Sequence, residues 1–163
     1  MIAGIKLSAS EEKISGLAFL DKDVETQSLK EDKEILEHLE EKRPDIVVFH
    51  VRFMPPENGE EFTEGEEELI EEGYAIMPYG MKGNKEISER ARSLRAKLDE
   101  LECEFIEGYT EVSRDVLDIS GDPGLENYGV ETEEIENTQE FDAVILALTG
   151  VFYKNGSYKD YGV

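Results

Sequence analysis

Four polar side chains interrupt or close otherwise apolar stretches of this chain: Lys6, His50, Glu107 and Asp142. Lys6 lies between Ile5 and Leu7, where an ammonium is costly to bury unless it is paired. Two readings stay open for it. Either its strand is one-sided and Lys6 meets solvent, or Lys6 pairs with Glu107 or Asp142. His50 follows the apolar run Ile46-Val47-Val48-Phe49 and reads as a hydrogen-bonded strand-end histidine or as a ligand. Asp142 reads as a site acid or as an acid near a helix N-terminus, favoured there by the helix dipole. Ser8, Arg52 and Tyr109 are the polar neighbours expected at the same strand ends.

A second cluster is basic. Residues 82–97 hold Lys82, Lys85, Arg90, Arg92, Arg95 and Lys97 against Glu86 and Glu89, a local +4 in a chain of net charge −23. Such a run reads as the solvated face of an amphipathic helix. The other reading is an anion site on Lys82 and Arg90, aided by the Gly80-Met81-Lys82-Gly83 backbone at a helix start. The glycine spacing matches neither the phosphate loop GxxxxGK[ST] nor GxGxxG, and no GxSxG elbow occurs. Cys103 is the only cysteine, which excludes an intrachain disulfide and a four-thiolate zinc site. It is expected to be a small buried hydrophobe. His38 and His50 are too few for a histidine-rich metal centre.

The elements that must position these groups follow from periodicity and turn residues. Apolar runs at Ile2–Leu7, Ile14–Leu20 and Val24–Leu29, separated by acidic turns, predict three strands in an antiparallel meander. Residues 31–42 predict a helix with Ile35, Leu36 and Leu39 on one face, stopped at Arg43-Pro44. Residues 45–51 then predict a strand buried on both faces, hence central and parallel. A polar, Gly-rich insert of loops and a short helix at 66–72 occupies about 53–84. A helix beginning at Asn84 or Ser88 carries the stripe Ile87, Ala91, Leu94, Leu98 and Leu101. A strand at 103–109, a short helix at 112–117, a turn-rich stretch at 118–137 and a last helix at 138–153 complete the order. Ala143, Val144, Ala147 and Leu148 face inward on that last helix.

This order predicts an α/β fold with a five-stranded mixed sheet and helices on both faces. The right-handed crossover sets the fourth strand parallel to and beside the first. That is the RNase H-like arrangement, with 1–163 as a single domain. The ends of the first, fourth and fifth strands would converge in one cleft.

The chain resembles the prokaryotic family called domain of unknown function 429, predicted nucleases of RNase H-like fold. Gly4-Ile5-Lys6-Leu7-Ser8 with Gly16-Leu17-Ala18 resembles its opening strand pair. Residues 44–51, PDIVVFHV, resemble its PDxVxxDxP strand, and 73–81 its glycine–proline segment. Phe105-Ile106-Glu107-Gly108-Tyr109 and the stretch from Phe141-Asp142-Ala143 to Thr149-Gly150 resemble its closing strand and helix. The resemblance implies aspartates where this chain has Lys6 and His50, while Glu107 and Asp142 match the remaining acids. Nuclease chemistry on this fold needs carboxylates that hold two Mg²⁺ or Mn²⁺ ions about 4 Å apart. An ammonium in place of a bridging carboxylate opposes a divalent ion by several kcal/mol, and imidazole suits Mg²⁺ poorly.

The expectation is therefore a non-catalytic relative of these nucleases with a Lys6–Glu107–Asp142 cluster and no cofactor. The alternative is an atypical metal-dependent nuclease or phosphoesterase that uses Glu107, Asp142 and His50 with Mg²⁺ or Mn²⁺. With 40 acids against 17 bases and a pI near 4.3, general electrostatic binding to nucleic acid or to an acidic membrane is disfavoured. No apolar run approaches the roughly 20 residues that span a bilayer, and the first residues lack a signal-peptide pattern. A cytoplasmic location is expected, and a homo-oligomer stays open.

Overall fold

The computed structural model describes residues 1–162. Five strands form one sheet: β1 (Ile2–Lys6), β2 (Ser15–Leu20), β3 (Val24–Leu29), β4 (Ile46–Phe49) and β5 (Glu104–Glu107). Their order is β3-β2-β1-β4-β5, which sets β1 at the centre. β1 pairs antiparallel with β2 and parallel with β4, and β4 pairs parallel with β5. The mixed sheet and the central first strand agree with the sequence reading.

Between the strands lie α1 (Asp32–Lys42), α2 (Glu64–Glu71) and α3 (Asn84–Lys97). After β5 come α4 (Thr110–Leu117), α5 (Asp122–Glu126) and α6 (Thr138–Lys154). Arg43 ends α1 in the left-handed region (φ 48°), one residue before Pro44. Thr63 opens α2 through a capping box: its hydroxyl accepts from the Glu66 N–H at 3.3 Å, and Glu66 Oε1 accepts from the Thr63 N–H at 3.0 Å. Several boundaries differ from the periodicity reading, among them α2, which starts at Glu64, and β4, which is confined to Ile46–Phe49. The fifth strand stops at Glu107, Tyr109 becomes the N-cap of α4, and the turn-rich stretch contains the single turn α5.

Alternation along the strands sorts their side chains to two faces. Ala3, Ile5, Val47 and Phe49 belong to the core built with α1 and α3, and Phe105 packs against it. Ile2, Ile46 and Val48 belong to the core built with α6, and Ile106 packs against that one. α6 lies directly on β1 and β2 because two strand positions have no side chain. A Cβ on Gly4 would stand 2.0 Å from the Ala143 carbonyl oxygen, and one on Gly16 would stand 2.0 Å from that of Gln139. Ala143 and Ala147 on the helix complete this close approach. α6 therefore carries Asp142 over the C-terminal end of β1.

Candidate functional site

Lys6 is the last residue of β1 and shares its face with Ile2 and Gly4, the α6 face. His50 follows β4 and shares the face of Ile46 and Val48. The two side chains meet there. Lys6 Nζ donates to His50 Nδ1 at 2.6 Å, and stands 3.6 Å from Asp142 Oδ2. Thr110 Oγ1, at the start of α4, lies 3.0 Å from the same His50 nitrogen. His50 Nε2 faces Glu111 Oε2 at 3.8 Å. The cluster thus runs Asp142–Lys6–His50–Glu111, with Thr110 beside it.

Burial holds His50 in its neutral form and pushes its pKa down to about 4. The neighbouring Lys6 ammonium acts in the same direction, and the Glu111 carboxylate acts against both. With Nδ1 accepting from an ammonium, the ring proton is assigned to Nε2, facing Glu111. Burial pulls Asp142 above the usual aspartate range even though the Lys6 charge opposes it.

Glu107 does not join this cluster. It is paired with Phe49 in the ladder and so shares the face of Ile5, Phe49 and Phe105, one residue out of phase with Lys6 and His50. Its Oε1 accepts from the Phe53 N–H at 2.6 Å. Its pKa is raised, first by loss of solvation and then by Glu66, against the Phe53 hydrogen bond. The expected Lys6–Glu107–Asp142 set is therefore corrected to Lys6–His50–Asp142. The set Glu107, Asp142 and His50 is likewise not brought to one point. Among the described residues, no three His, Cys, Asp or Glu side chains are grouped to hold one metal ion.

The basic cluster also departs from expectation. Arg90 is buried, and its guanidinium is used up within the fold. Nε donates to Asp32 Oδ1 at 2.7 Å, Nη1 to the Ser8 carbonyl at 3.0 Å, and Nη2 to the Lys30 carbonyl at 2.8 Å. Lys82 is exposed, so the two do not form an anion site. Nor is the helix face simply solvated. Arg92 donates to the Phe53 carbonyl at 2.6 Å, and Arg95 stacks over the rings of Phe53 and Phe105. These arginines brace the segment that leaves β4. Cys103 is half-buried against the core, and burial raises its thiol pKa.

Sequence reasoning missed three residues. Thr110 and Glu111 join the cluster because α4 starts two residues before the apolar pattern suggests. Glu66 pairs with Arg52, both buried, while its other carboxylate oxygen caps α2. A Thr-x-x-Glu capping signature at 63–66 was the available signal for that role.

A five-stranded mixed sheet with this strand order, its cleft at the ends of β1 and β4, defines the RNase H-like fold. Two solved structures share it over nearly the whole chain. The chain is similar to Thermus thermophilus RuvC in complex with a Holliday junction substrate, with TM-score 0.62, 14% identity, and 97% of each chain covered. It is also similar to a second Thermus thermophilus RuvC structure, with TM-score 0.59, 12% identity, and coverage of 97% of this chain and 98% of that one. No family model and no curated protein matches the chain. Among the described residues no helix is long and apolar enough to cross a membrane.

Proposed function

We propose that this chain is a non-catalytic relative of the RNase H-like nucleases, retained for binding or as a scaffold. An ion-paired cluster of Lys6, His50 and Asp142 holds the cleft where nucleases of this fold gather carboxylates around metal ions. The observation that carries the reading is the position of the Lys6 ammonium, 3.6 Å from Asp142 and 2.6 Å from His50 Nδ1. The donor set does not fit a pair of Mg²⁺ or Mn²⁺ ions. Asp142 is occupied by Lys6, the free lone pair of His50 is taken, Glu107 lies on the other face of the sheet, and Glu111 alone is left as a carboxylate beside His50. A divalent ion about 4 Å from the ammonium would meet several kcal/mol of repulsion.

The test is a cleavage assay with Mn²⁺ on single-stranded RNA, duplex DNA and a four-way DNA junction. The junction is included because one RuvC neighbour is bound to such a substrate. No cleavage above background is expected. Cleavage that disappears in Asp142→Asn would overturn the reading.

A further inference from the structure

We propose that the cleft beside this cluster binds a small organic anion that carries an apolar body, with Arg52 and Lys6 receiving its charge. The inference rests on the metal-free reading of the site, because a metal ion in the cleft would change what an anion meets there. The cleft has a volume of about 410 Å³, the size class of a small-molecule site. Leu7, Val51, Ile76 and Met77 supply apolar wall, which favours an organic body over a bare hydrated ion.

Arg52 provides the observation that points to a ligand. It lines the cleft and is only 8% exposed. One terminal nitrogen, Nη2, pairs with Glu66 and donates to the Met77 carbonyl at 2.6 Å. The other, Nη1, is buried with no hydrogen-bond partner, as is Glu66 Oε2 within the same ion pair. A buried donor without an acceptor costs on the order of 1–3 kcal/mol, more when charged. A carboxylate or phosphate oxygen supplies the missing acceptor, and a planar guanidinium matches either group.

A second cation and two helix ends line the same cleft. Lys6 is in the wall, and Asn84 and Ser88 bring the first turns of α3 to it. α4 starts there too, with its N-cap Tyr109 in the wall. Two helix N-termini thus add their partial positive charge. Glu66 and Asp142 offset the charges of Arg52 and Lys6. Glu111, 70% exposed on the rim and screened by solvent, also opposes an anion. The unpartnered donor and the helix ends, rather than net charge, therefore favour one. The basic residues that suggested an anion site in the sequence, Lys82 and Arg90, take no part.

The test is calorimetric titration of the full chain in EDTA at low salt. The probes are 1-naphthyl phosphate and 1-naphthoate, with 1-naphthol and inorganic phosphate as the arms that lack charge or body. At least one aromatic anion should bind about tenfold or more tightly than both controls, and which of the two binds separates a phosphate ester from a carboxylate. Met77→Glu should weaken that binding about tenfold or more. The Met77 residue is 53% exposed, so this change leaves the fold intact, checked by circular dichroism. Equal affinity for 1-naphthol, or indifference to Met77→Glu, would overturn the proposal. No binding with or without Mn²⁺ would overturn it alone. Binding that requires Mn²⁺ would overturn the metal-free reading as well.

Discussion

His50 makes the cluster sensitive to acid. Its folded pKa of about 4 lies below the ordinary value of 6.5, because burial and Lys6 disfavour the imidazolium. Between these values the unfolded chain binds more protons than the folded one. Stability present above pH 6.5 is therefore lost as pH falls towards 4, by up to about 3 kcal/mol for this one group. Asp142 and Glu107 have raised values and act with the opposite sign, since the folded state takes up their protons more readily. An NMR titration of the His50 ring should show a midpoint near 4; a midpoint near 6.5 would mean that His50 is not buried beside Lys6 as described. Arg90 is the other residue with a measurable role. Arg90→Met leaves Asp32 and several carbonyls without their donor and should cost about 3–5 kcal/mol in urea denaturation. Lys82→Met should change stability by less than about 0.5 kcal/mol, as an exposed residue without such partners does. Equal effects of the two substitutions would contradict the bracing role of Arg90.

At the scale of elements, the sheet and the principal helices were legible because their residues are strongly patterned. The β-branched run at 46–48 after a helix marks a doubly buried strand, and the spacing of Ala143 and Ala147 marks the inner face of α6. The site was legible only in part. Lys6, His50 and Asp142 were identified as residues that meet at a strand end. Glu107 was misplaced because a strand end by itself does not tell which face a side chain takes. The phase of Ile106 and Phe105 against β4 decides that, and it depends on a register that the sequence alone leaves free. Arg52 was expected at the strand end, but its partner Glu66 escaped notice because their pairing depends on how the insert folds back over β4. The close approach of α6 gives a test at this scale. Gly4→Ala drives a methyl group into the Ala143 carbonyl and should cost about 3 kcal/mol or more. It should also loosen the Lys6–Asp142 pair, read as an upfield shift of the Lys6 ammonium signals or their loss by exchange. A Gly4→Ala protein as stable as the parent would show that α6 does not rest on β1 as described.

For the whole molecule, charge was the most legible property and the one that bears most on partners. A net charge of −23 on 163 residues repels itself and repels phosphate backbones. Added NaCl should therefore raise the melting temperature through screening. Duplex DNA should bind no more tightly at 50 mM than at 200 mM salt, whereas a protein that neutralises several phosphates loses orders of magnitude over that interval. A steep loss of DNA affinity with salt would reveal a basic surface that the fold does not show.

The central claim is that an ion-paired Lys6 stands where a nuclease of this fold would gather metal ligands. Calorimetric titration with Mn²⁺ tests it most directly. In the unmodified protein Asp142 is held by an ammonium, one histidine nitrogen is already engaged and the remaining carboxylate, Glu111, is exposed beside His50, so it should bind Mn²⁺ no better than weakly, in the millimolar range. Replacing Lys6 and His50 together by Asp removes the ammonium and sets new carboxylates beside Asp142, so affinity should rise about tenfold or more. Micromolar Mn²⁺ binding by the unmodified protein, abolished by Asp142→Asn, would contradict the claim.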